Sequence, residues 1–275
     1  MNQHKIEVKK GQRFEFGANW ARFLAVLSDE RIRMAEESLK RMLDVSDLKG
    51  KSFLDVGSGS GLFSLAARRL GARVHSFDYD PQSVACTAEI KQRYCPDDTE
   101  WTVQPGSALD KAYLGQLGQF DVVYSWGVLH HTGAMWDALA NVVPLVSGEG
   151  KLFIAIYNDQ GRGSKTWLSA KKAYNAAPAA LRWIVLYPSF IRLWGPTTIR
   201  DFLRGRPFVT WRNYAEGSMR GMTAWRDVVD WVGGLPFEVA TPEAIFDFYR
   251  ERGFQLKRLK TCAGGLGCNE FVFFK

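Results

Sequence analysis

The part of the chain best suited to chemistry is the glycine loop in FLDVGSGSG, where Gly57, Gly59 and Gly61 alternate with serines. A hydrophobic run precedes the loop and a helix-like segment follows it, which is the setting of a loop that binds a nucleotide-like cofactor. Glycine lets the backbone turn sharply and approach a ligand closely. A second hydrophobic run ends at Asp78, where a carboxylate would accept hydrogen bonds from two ribose hydroxyls. These features predict a site for a nucleotide-type cofactor.

The spacing of the glycines separates two classes of cofactor. A dinucleotide fingerprint reads GxGxxG, whereas this loop reads GxGxG and follows an acid, Asp55. The loop therefore resembles the first motif of the class I methyltransferases, which use S-adenosylmethionine. A dinucleotide-binding or other nucleotide-binding domain without methyl transfer is the alternative interpretation of this region.

The resemblance to class I methyltransferases covers residues 51 to about 158. VHSFDYD is similar to the family's ribose-binding strand end. FDVVYSWGVLHHT is similar to the fourth-strand motif of the branch that contains small-molecule O-methyltransferases, such as those of ubiquinone biosynthesis. LVSGEGKLFIAIYN resembles the turn and fifth strand, and the C-terminal residues resemble the closing strand pair. The resemblance implies S-adenosylmethionine as the cofactor and S-adenosylhomocysteine as its product.

The resemblance also implies roles for single residues. Asp55 would orient the methionine amino group, directly or through water, and Asp78 would bind the ribose. Tyr79 would stack beside the adenine. Many family members carry an acid after the glycine of the third strand, to bind the adenine amine; Ser107 stands there in this chain, so we expect the backbone of Ala108 to substitute. The full set expected at the cofactor is Asp55, Gly57, Ser58, Gly59, Gly61, Asp78, Tyr79, Ser107, Ala108, Ser125 and Trp126.

Two adjacent histidines are the candidate catalytic residues. Methyl transfer from a sulfonium is an in-line displacement, and a base helps where the acceptor is a hydroxyl, because the deprotonated oxygen is the nucleophile. His130 and His131 follow the fourth predicted strand, at the edge where ligands gather, and imidazole titrates near neutrality. A structural role is the alternative for both. SWGV replaces the [DN]PP[YF] tetrapeptide of amide and nucleobase N-methylases, which disfavours an exocyclic amine acceptor.

A basic, tryptophan-rich insert is the second unusual feature of the sequence. Residues 157–236 hold twelve Lys and Arg against five Asp and Glu, and six of the ten Trp. Long insertions in compact domains are usually functional, so we expect a lid over the acceptor. Its tryptophans would frame an apolar or aromatic substrate and its arginines would pair with an anionic group; alternatively, the tryptophans form the insert's own core and the arginines are solvated. The residues expected at the substrate are Trp20, Trp126, Tyr157, Asn158, Arg162 and Trp167.

Composition limits the remaining possibilities. A chain of 275 residues with 46% hydrophobic residues can bury one large core, and a net charge of +7 does not by itself indicate nucleic acid. Four cysteines without CxxC spacing predict reduced thiols and no metal site. The N-terminus lacks an apolar signal core, and residues 181–195 are too few to span a bilayer. We therefore expect a cytoplasmic protein in which residues 181–195 pack on the domain, with a place on a membrane surface as the lesser alternative.

Alternating strand and helix patterns must position these residues. SFLDVG, RVHSFD, EWTVQPG, FDVVYSW and GKLFIAIYN read as strands separated by helices, which is the pattern of a parallel α/β sheet. Asp80 would cap the helix after the second strand, and Gly61 has close helix–sheet packing as an alternative role. We predict an α/β, Rossmann-like doubly wound sheet of seven strands, mostly parallel with a closing antiparallel strand, plus a helical cap. Its parts are a helical segment covering the cofactor site (1–50), the cofactor-binding core (51–158), the insert, broken by prolines (159–236), and the last helix with two strands (237–275).

These observations predict an enzyme that methylates a small molecule, with an oxygen of an aromatic or amphipathic, negatively charged compound of secondary or cofactor metabolism as the acceptor. One alternative is a tRNA-modification methyltransferase that holds phosphates with the basic insert. Aromatic residues dominate the insert more than a continuous basic stripe does, so we do not expect nucleic acid as a partner. The other alternative is a regulatory domain that binds the cofactor without catalysis.

Overall fold

A seven-stranded sheet forms the centre of the computed structural model, which describes residues 3–214 and 223–275, apart from the side chains of residues 18, 19, 21 and 22. Its strands are β1 (Ser52–Val56), β2 (Arg73–Asp78), β3 (Trp101–Pro105), β4 (Phe120–Trp126), β5 (Val146–Tyr157), β6 (Gln255–Lys260) and β7 (Cys268–Phe274). They lie in the order β3-β2-β1-β4-β5-β7-β6. Residues 215–222 of the predicted insert lie outside the described residues.

The strand directions confirm the predicted sheet. β1 to β5 pair in parallel, and β7 pairs antiparallel with both β5 and β6. Six strands therefore run one way and β7 alone runs the other way. The chain moves outward from β1 to β3 and then returns to place β4 on the other side of β1. In sheets of this type the ligand binds at such a reversal, outside the carboxyl ends of the strands.

Helices cover both faces of the sheet and form the insert. They are α1 (Gln3–Lys9), α2 (Gly17–Leu24), α3 (Asp29–Leu43), α4 (Leu62–Arg69), α5 (Pro81–Tyr94), α6 (Lys111–Gly115), α7 (Met135–Val142), α8 (Arg162–Ala176), α9 (Trp183–Leu203), α10 (Val209–Arg212), α11 (Ala224–Gly233) and α12 (Pro242–Arg250). Phe53 of β1 packs with α3, α4 and α5, whereas the next residue, Leu54, packs with α6, α7 and α12 on the opposite face. This alternation follows from the period of two in a strand.

The N-terminal helical segment is divided at residues 25–28, and its parts have different positions. Ser28 accepts a hydrogen bond from the backbone N–H of Arg31 and so begins α3. Ile32 and Leu39 of α3 are fully buried in the cluster beside α4. The third helix is therefore part of the core, and only α1, α2 and the residues between them lie over the carboxyl edge of the sheet.

The insert has a hydrophobic core of its own. Trp167 and Tyr174 of α8, Leu186 of α9, and two valines of α11 pack together there. Prolines do not break α9, which continues through Pro188 and Pro196. Packing of its buried face on α8 and α11 outweighs the two missing backbone donors, so tertiary contacts override the local signal. Among the described helices, none is both long enough and apolar enough to cross a membrane.

Candidate functional site

A cavity of about 510 Å³ lies at the carboxyl edge of the sheet, where β1, β2 and β4 end. The glycine loop between β1 and α4 forms its floor, and Asp78, Tyr79 and Trp126 border it at the ends of the neighbouring strands. This size is within the usual range for small-molecule sites. The cavity therefore lies at the point where the strand order reverses.

The three loop glycines adopt conformations that other residues avoid. Their φ angles are +82° at Gly57, +56° at Gly59 and +82° at Gly61. A Cβ on Gly57 would lie 2.3 Å from Cγ1 of Val128, and one on Gly61 would lie 2.8 Å from Cα of Thr87. Gly57 and Gly59 line the cavity, whereas Gly61 lies behind it and lets α4 approach α5. Gly61 thus has a packing role, but its close contact is with helix α5 and not with the sheet.

Two carboxylates, the buried Asp55 and the half-buried Asp78, face the cavity from neighbouring strands. Asp55, on β1, is 1% exposed, and Ser64 donates a hydrogen bond to it. Burial raises the pKa of the Asp55 carboxyl to about 7, with a smaller upward contribution from the charge of Asp78 and a downward one from Ser64. Burial likewise raises the pKa of Asp78 to about 6, although backbone N–H donors lower it. A cationic or hydroxyl-bearing ligand would compensate for the water that both groups have lost.

Asp78 also holds the glycine loop in place. Its Oδ2 accepts from the backbone N–H of Gly59 at 2.9 Å, and its Oδ1 accepts from that of Asp80 at 2.9 Å. A carboxylate oxygen can accept more than one hydrogen bond, so ribose hydroxyls can be added to these contacts. Asp80 caps α5 by accepting from the N–H of Gln82, as the sequence suggests.

The expected adenine end of the cavity is formed by the loop after β3. Ser107 and Ala108 both line it, as does Tyr79 from the loop after β2. The hydroxyl of Ser107 accepts from the N–H of Leu109, and the carbonyl of Ala108 accepts from the amide of Asn141. These bonds fix the loop after β3 against α7.

The segment between α1 and α2 covers the cavity. Arg13 donates to Glu7 at 2.8 Å and to the backbone carbonyl of His131 at 2.8 Å. The hydroxyl of Tyr79 donates to the other oxygen of Glu7 at 3.1 Å. Glu7 is partly buried, which raises its pKa, but its donors outweigh this and hold the pKa below the ordinary value. The N–H of Gly17 donates to Asp80 Oδ2 at 2.9 Å. The covering segment is therefore tied to two separate loops of the core, the one after β2 and the one after β4.

His131 borders the cavity and is held from two sides. Its Nδ1 lies 2.6 Å from the carbonyl oxygen of Pro236, and its ring centroid lies 4.9 Å from that of Phe16. A carbonyl can only accept, so the Nδ1 must carry the proton, and in the neutral ring the lone pair is on Nε2. His131 therefore has the tautomer that a general base requires.

His130 has a different position from its neighbour. It is fully buried, does not line the cavity, and its Nδ1 accepts from the backbone N–H of Tyr157 at 3.3 Å. Its ring stacks against that of Tyr157 at 3.9 Å between centroids. The geometry thus assigns His130 to the support of Tyr157, which does line the cavity, and separates it from the acceptor side.

Other expected site residues lie away from the cavity. Ser125 is fully buried and donates to the carbonyl of Val56, which ties β4 to β1. Asn158 donates to the carbonyl of Gly265 and accepts from Asn269, so it joins the ends of β5 and β7. The Ser125 hydroxyl and the Asn158 amide therefore hydrogen-bond within the protein, and neither residue lines the cavity.

Among the described residues of the insert none lines the cavity, but its last residues contact side chains that do. Trp167 is buried in the insert core against Trp231, and Arg162 is exposed at the start of α8. Pro236 contacts His131 as described above, and Gly233 lies so close to Phe14 that a Cβ would come within 2.2 Å of its ring. The alternative interpretation of the tryptophans, as the insert's own core, is the one that this packing favours.

Several cavity residues were not expected from the sequence. They include His4, Glu7, Arg13, Thr132 and Val128. Three aromatic residues of FEFGANW, which interrupts a polar tail in the sequence, also line the cavity: Phe14, Phe16 and Trp20. No local pattern marks Glu7 or Arg13, since their partners are distant in the sequence.

The sequence matches a known protein family over part of its length. Residues 54–152 match the model of a methyltransferase domain. Among curated proteins, the chain is 44% identical over 69 residues to a ribosomal protein L11 methyltransferase of Methylococcus capsulatus, which is 25% of this chain and 24% of that protein. It is 40% identical over 95 residues to a tRNA U34 carboxymethyltransferase of Pseudomonas syringae pv. tomato, which is 34% of this chain and 28% of that protein. The matched segments thus span about a quarter of the length of each of these two relatives.

Two further matches extend over more of the chain. A ubiquinone biosynthesis O-methyltransferase of Xanthomonas oryzae pv. oryzae is 28% identical over 173 residues, which is 62% of this chain and 64% of that protein. The crystal structure of a magnesium protoporphyrin IX methyltransferase from Synechocystis, with bound S-adenosylhomocysteine, superposes with a TM-score of 0.52 at 12% identity and covers 89% of this chain and 83% of that one. The structural match shows a common fold. The resemblance to class I methyltransferases is confirmed.

Proposed function

Because the chain contains a methyltransferase domain on a class I, Rossmann-like sheet, we propose that it transfers a methyl group from S-adenosylmethionine to a small molecule. The observation that carries the proposal is the pair of carboxylates, the buried Asp55 and the half-buried Asp78, beside a GxGxG loop in left-handed conformations. Both acids have raised pKa values because they are buried, and such groups are stabilised by a ligand that brings positive charge and hydroxyl donors.

The residues present fit this cofactor. Asp55 would hold the amino group, Asp78 the ribose hydroxyls, and Tyr79, Ser107 and Ala108 the adenine end. When bound, S-adenosylmethionine supplies an electrophilic methyl group on a sulfonium. The glycine loop would approach the methionine half through its backbone, because a Cβ at Gly57 has no space.

The side of the cavity around His131 supports an aromatic or amphipathic acceptor. Phe14, Phe16 and Tyr157 provide ring surfaces, with centroids of Phe16 and Tyr157 at 4.9 and 5.3 Å from His131. The bond to Pro236 orients the imidazole, and its Nε2 would take the proton of an acceptor hydroxyl. This arrangement favours O-methylation.

The expected negative charge of the acceptor receives little support. None of the insert arginines lines the cavity in the described part of the chain. Arg13 does, but Glu7 pairs with it. The proposal therefore depends on the aromatic walls and on His131 and does not require an anionic acceptor.

Residues 3–24 would close the site during the reaction. Methyl transfer is favoured where water is excluded and the reacting atoms are aligned. The contacts of Arg13, Glu7 and Gly17 with the loops after β2 and β4 hold this segment over the cavity, so it must open for ligands to enter. This closure is part of the proposal.

Two measurements test the proposed function. Isothermal titration should show binding of S-adenosylmethionine by the wild type and its loss in Asp78→Ala; absence of binding in the wild type would overturn the cofactor proposal. An assay of methyl transfer to a panel of phenols, carboxylates and lipids should show turnover that falls in His131→Gln while cofactor binding is retained. Binding without any turnover would favour a regulatory domain, and salt-sensitive turnover of tRNA would favour the nucleic-acid alternative.

A further inference from the structure

The long helix α9 exposes an apolar stripe on the side opposite to its packed face. Leu186 and Ser189 are buried against the insert core. Residues three and four positions apart share one side of a helix, and here the outer side carries large apolar residues. This α9 stripe consists of side chains that are each more than half exposed: Ile184, Tyr187, Ile191, Ile199 and Phe202, flanked by Trp183 and Leu203.

The surface around the α9 stripe is positively charged. Residues 181–214 contain six arginines and one acid. The acid, Asp201, is 3% exposed and accepts hydrogen bonds from the backbone N–H and the hydroxyl of Thr210. Arginines 192, 200, 204 and 206 are exposed along α9 and the turn that follows it. Apolar contact area and an excess of positive charge therefore occur on the same element.

Charge and composition together select one kind of partner. Contiguous exposed apolar surface of this kind marks an interaction site. A second copy of the chain would bring like-charged arginines together, and a nucleic acid would leave the isoleucines in water. The boundary of an anionic bilayer accepts apolar side chains, places Trp and Tyr at its polar edge, and provides phosphates for arginine.

We propose that α9 docks the protein on the surface of membranes that contain anionic lipids. The α9 stripe would enter the headgroup region with the helix parallel to the membrane plane, and the exposed arginines would pair with lipid phosphates. The inner face of α9 would stay packed on α8 and α11, so docking requires no unfolding of the insert. The prediction that residues 181–195 pack on the domain then holds for one face of the helix only. This inference does not depend on methyl transfer.

Co-sedimentation of the full chain with vesicles tests the proposal. We expect binding to vesicles of phosphatidylcholine mixed with phosphatidylglycerol, weaker binding to phosphatidylcholine alone, and loss of binding as salt is added. Ile191→Glu combined with Ile199→Glu should weaken binding by at least about tenfold, since both side chains would have to carry charge into the headgroup boundary. The matched control is Leu259→Glu with Leu266→Glu, which changes two exposed leucines away from α9 and should leave binding unaltered.

A second variant keeps the test decisive if the glutamates disturb folding. Arg200→Gln with Arg204→Gln should weaken binding to the anionic vesicles about tenfold and leave the circular dichroism spectrum unchanged. The proposal is wrong if the wild type does not bind anionic vesicles, or if correctly folded stripe variants bind as well as the control. It is also wrong if size-exclusion chromatography shows a dimer that Ile191→Glu dissociates, because the stripe would then belong to a second copy.

Discussion

Replacement of Gly57 by alanine tests whether the glycine loop has its conformation for the stated reasons. Gly57 combines a φ of +82° with contact to Val128, whose Cγ1 and Cγ2 would lie 2.3 and 2.7 Å from an added Cβ. Carbon atoms normally approach to about 3.5–4.0 Å. Because Val128 belongs to the loop after β4, the alanine would push the floor of the cavity away from the neighbouring strand end.

The cost can be divided into two parts. A left-handed φ costs a residue with a Cβ about 1–2 kcal/mol. Overpacking of an added methyl costs about 1–3 kcal/mol. Gly57→Ala should therefore lower the free energy of unfolding by about 2–5 kcal/mol, less the small gain from a stiffer unfolded chain. Gly50→Ala is the matched control, since its φ is +71° and a Cβ there would meet nothing within 4 Å. Gly50→Ala should therefore lower the free energy of unfolding only by the cost of the left-handed backbone conformation.

Urea unfolding of four variants separates the two parts. Gly57→Ala, Val128→Ala and the double variant form a cycle with the wild type. Removing both methyl groups of Val128 should relieve the overlap, so the double variant should be more stable than the sum of the single changes predicts by about 1–2 kcal/mol. Titration with S-adenosylmethionine should show at least about tenfold weaker binding by Gly57→Ala, because the loop backbone would move.

Two results would refute this reasoning. If Gly57→Ala costs no more than Gly50→Ala, the contact with Val128 does not constrain the loop. If the cycle shows no coupling while the cost is large, the strain comes from another source. An unchanged affinity for S-adenosylmethionine in a destabilised Gly57→Ala variant would separate the loop from cofactor binding.

The other predictions concern charge, the base and closure. Asp55→Asn should stabilise the cofactor-free protein by on the order of 2 kcal/mol near pH 8. The folded-state pKa of about 7 lies above the ordinary value of 3.8, so the native state loses stability as pH rises through that window. Unfolding curves should show the gain disappear below about pH 4, and titration should show that S-adenosylmethionine no longer binds; a gain that is independent of pH would contradict the prediction. His131→Gln should lower kcat toward a phenolic acceptor by about 10²–10⁴ with little change in cofactor affinity, and an unaltered kcat would exclude a base role. Arg13→Ala should speed proteolytic cleavage within residues 3–24 and weaken cofactor binding, whereas Lys10→Ala, at an exposed side chain outside the cavity, should do neither.

The donor half of the site could be predicted because its signals are local. Asp55, Gly57 and Gly59 lie within five positions, and a strand that begins fourteen residues after Gly59 ends at Asp78. Parallel pairing of β1 with β2 then brings the two acids to one edge without further information. The same reasoning included Ser125 because it precedes the end of β4. The hydroxyl of Ser125 instead donates to the carbonyl of Val56 on the neighbouring strand, and the sequence of one strand does not reveal its partners on another.

The acceptor half could not be predicted in the same way, because distant contacts build it. Arg13 reaches the carbonyl of His131 across 118 positions, and Pro236 reaches its ring across 105. Composition showed that the insert is rich in tryptophan, but composition cannot distinguish a tryptophan in a core from one beside a ligand. Trp167 is in the core, whereas Trp20, in a short motif without helical periodicity of its own, borders the cavity.

His131 contacts both the N-terminal segment and the end of the insert. The N-terminal segment bonds to its backbone through Arg13 and contacts its ring through Phe16, and the end of the insert bonds to its ring through Pro236. The residues that hold the donor belong to the sheet and its glycine loop and make none of these contacts. A change of acceptor would therefore require changes in the first 24 residues and in the loop after α11, while Asp55 and Asp78 stay as they are. If the proposed function is correct, substitutions at Phe14, Phe16 or residues 233–237 should change the preferred acceptor with less effect on cofactor affinity than Arg13→Ala, because these residues contact the surroundings of His131 and not Asp55 or Asp78.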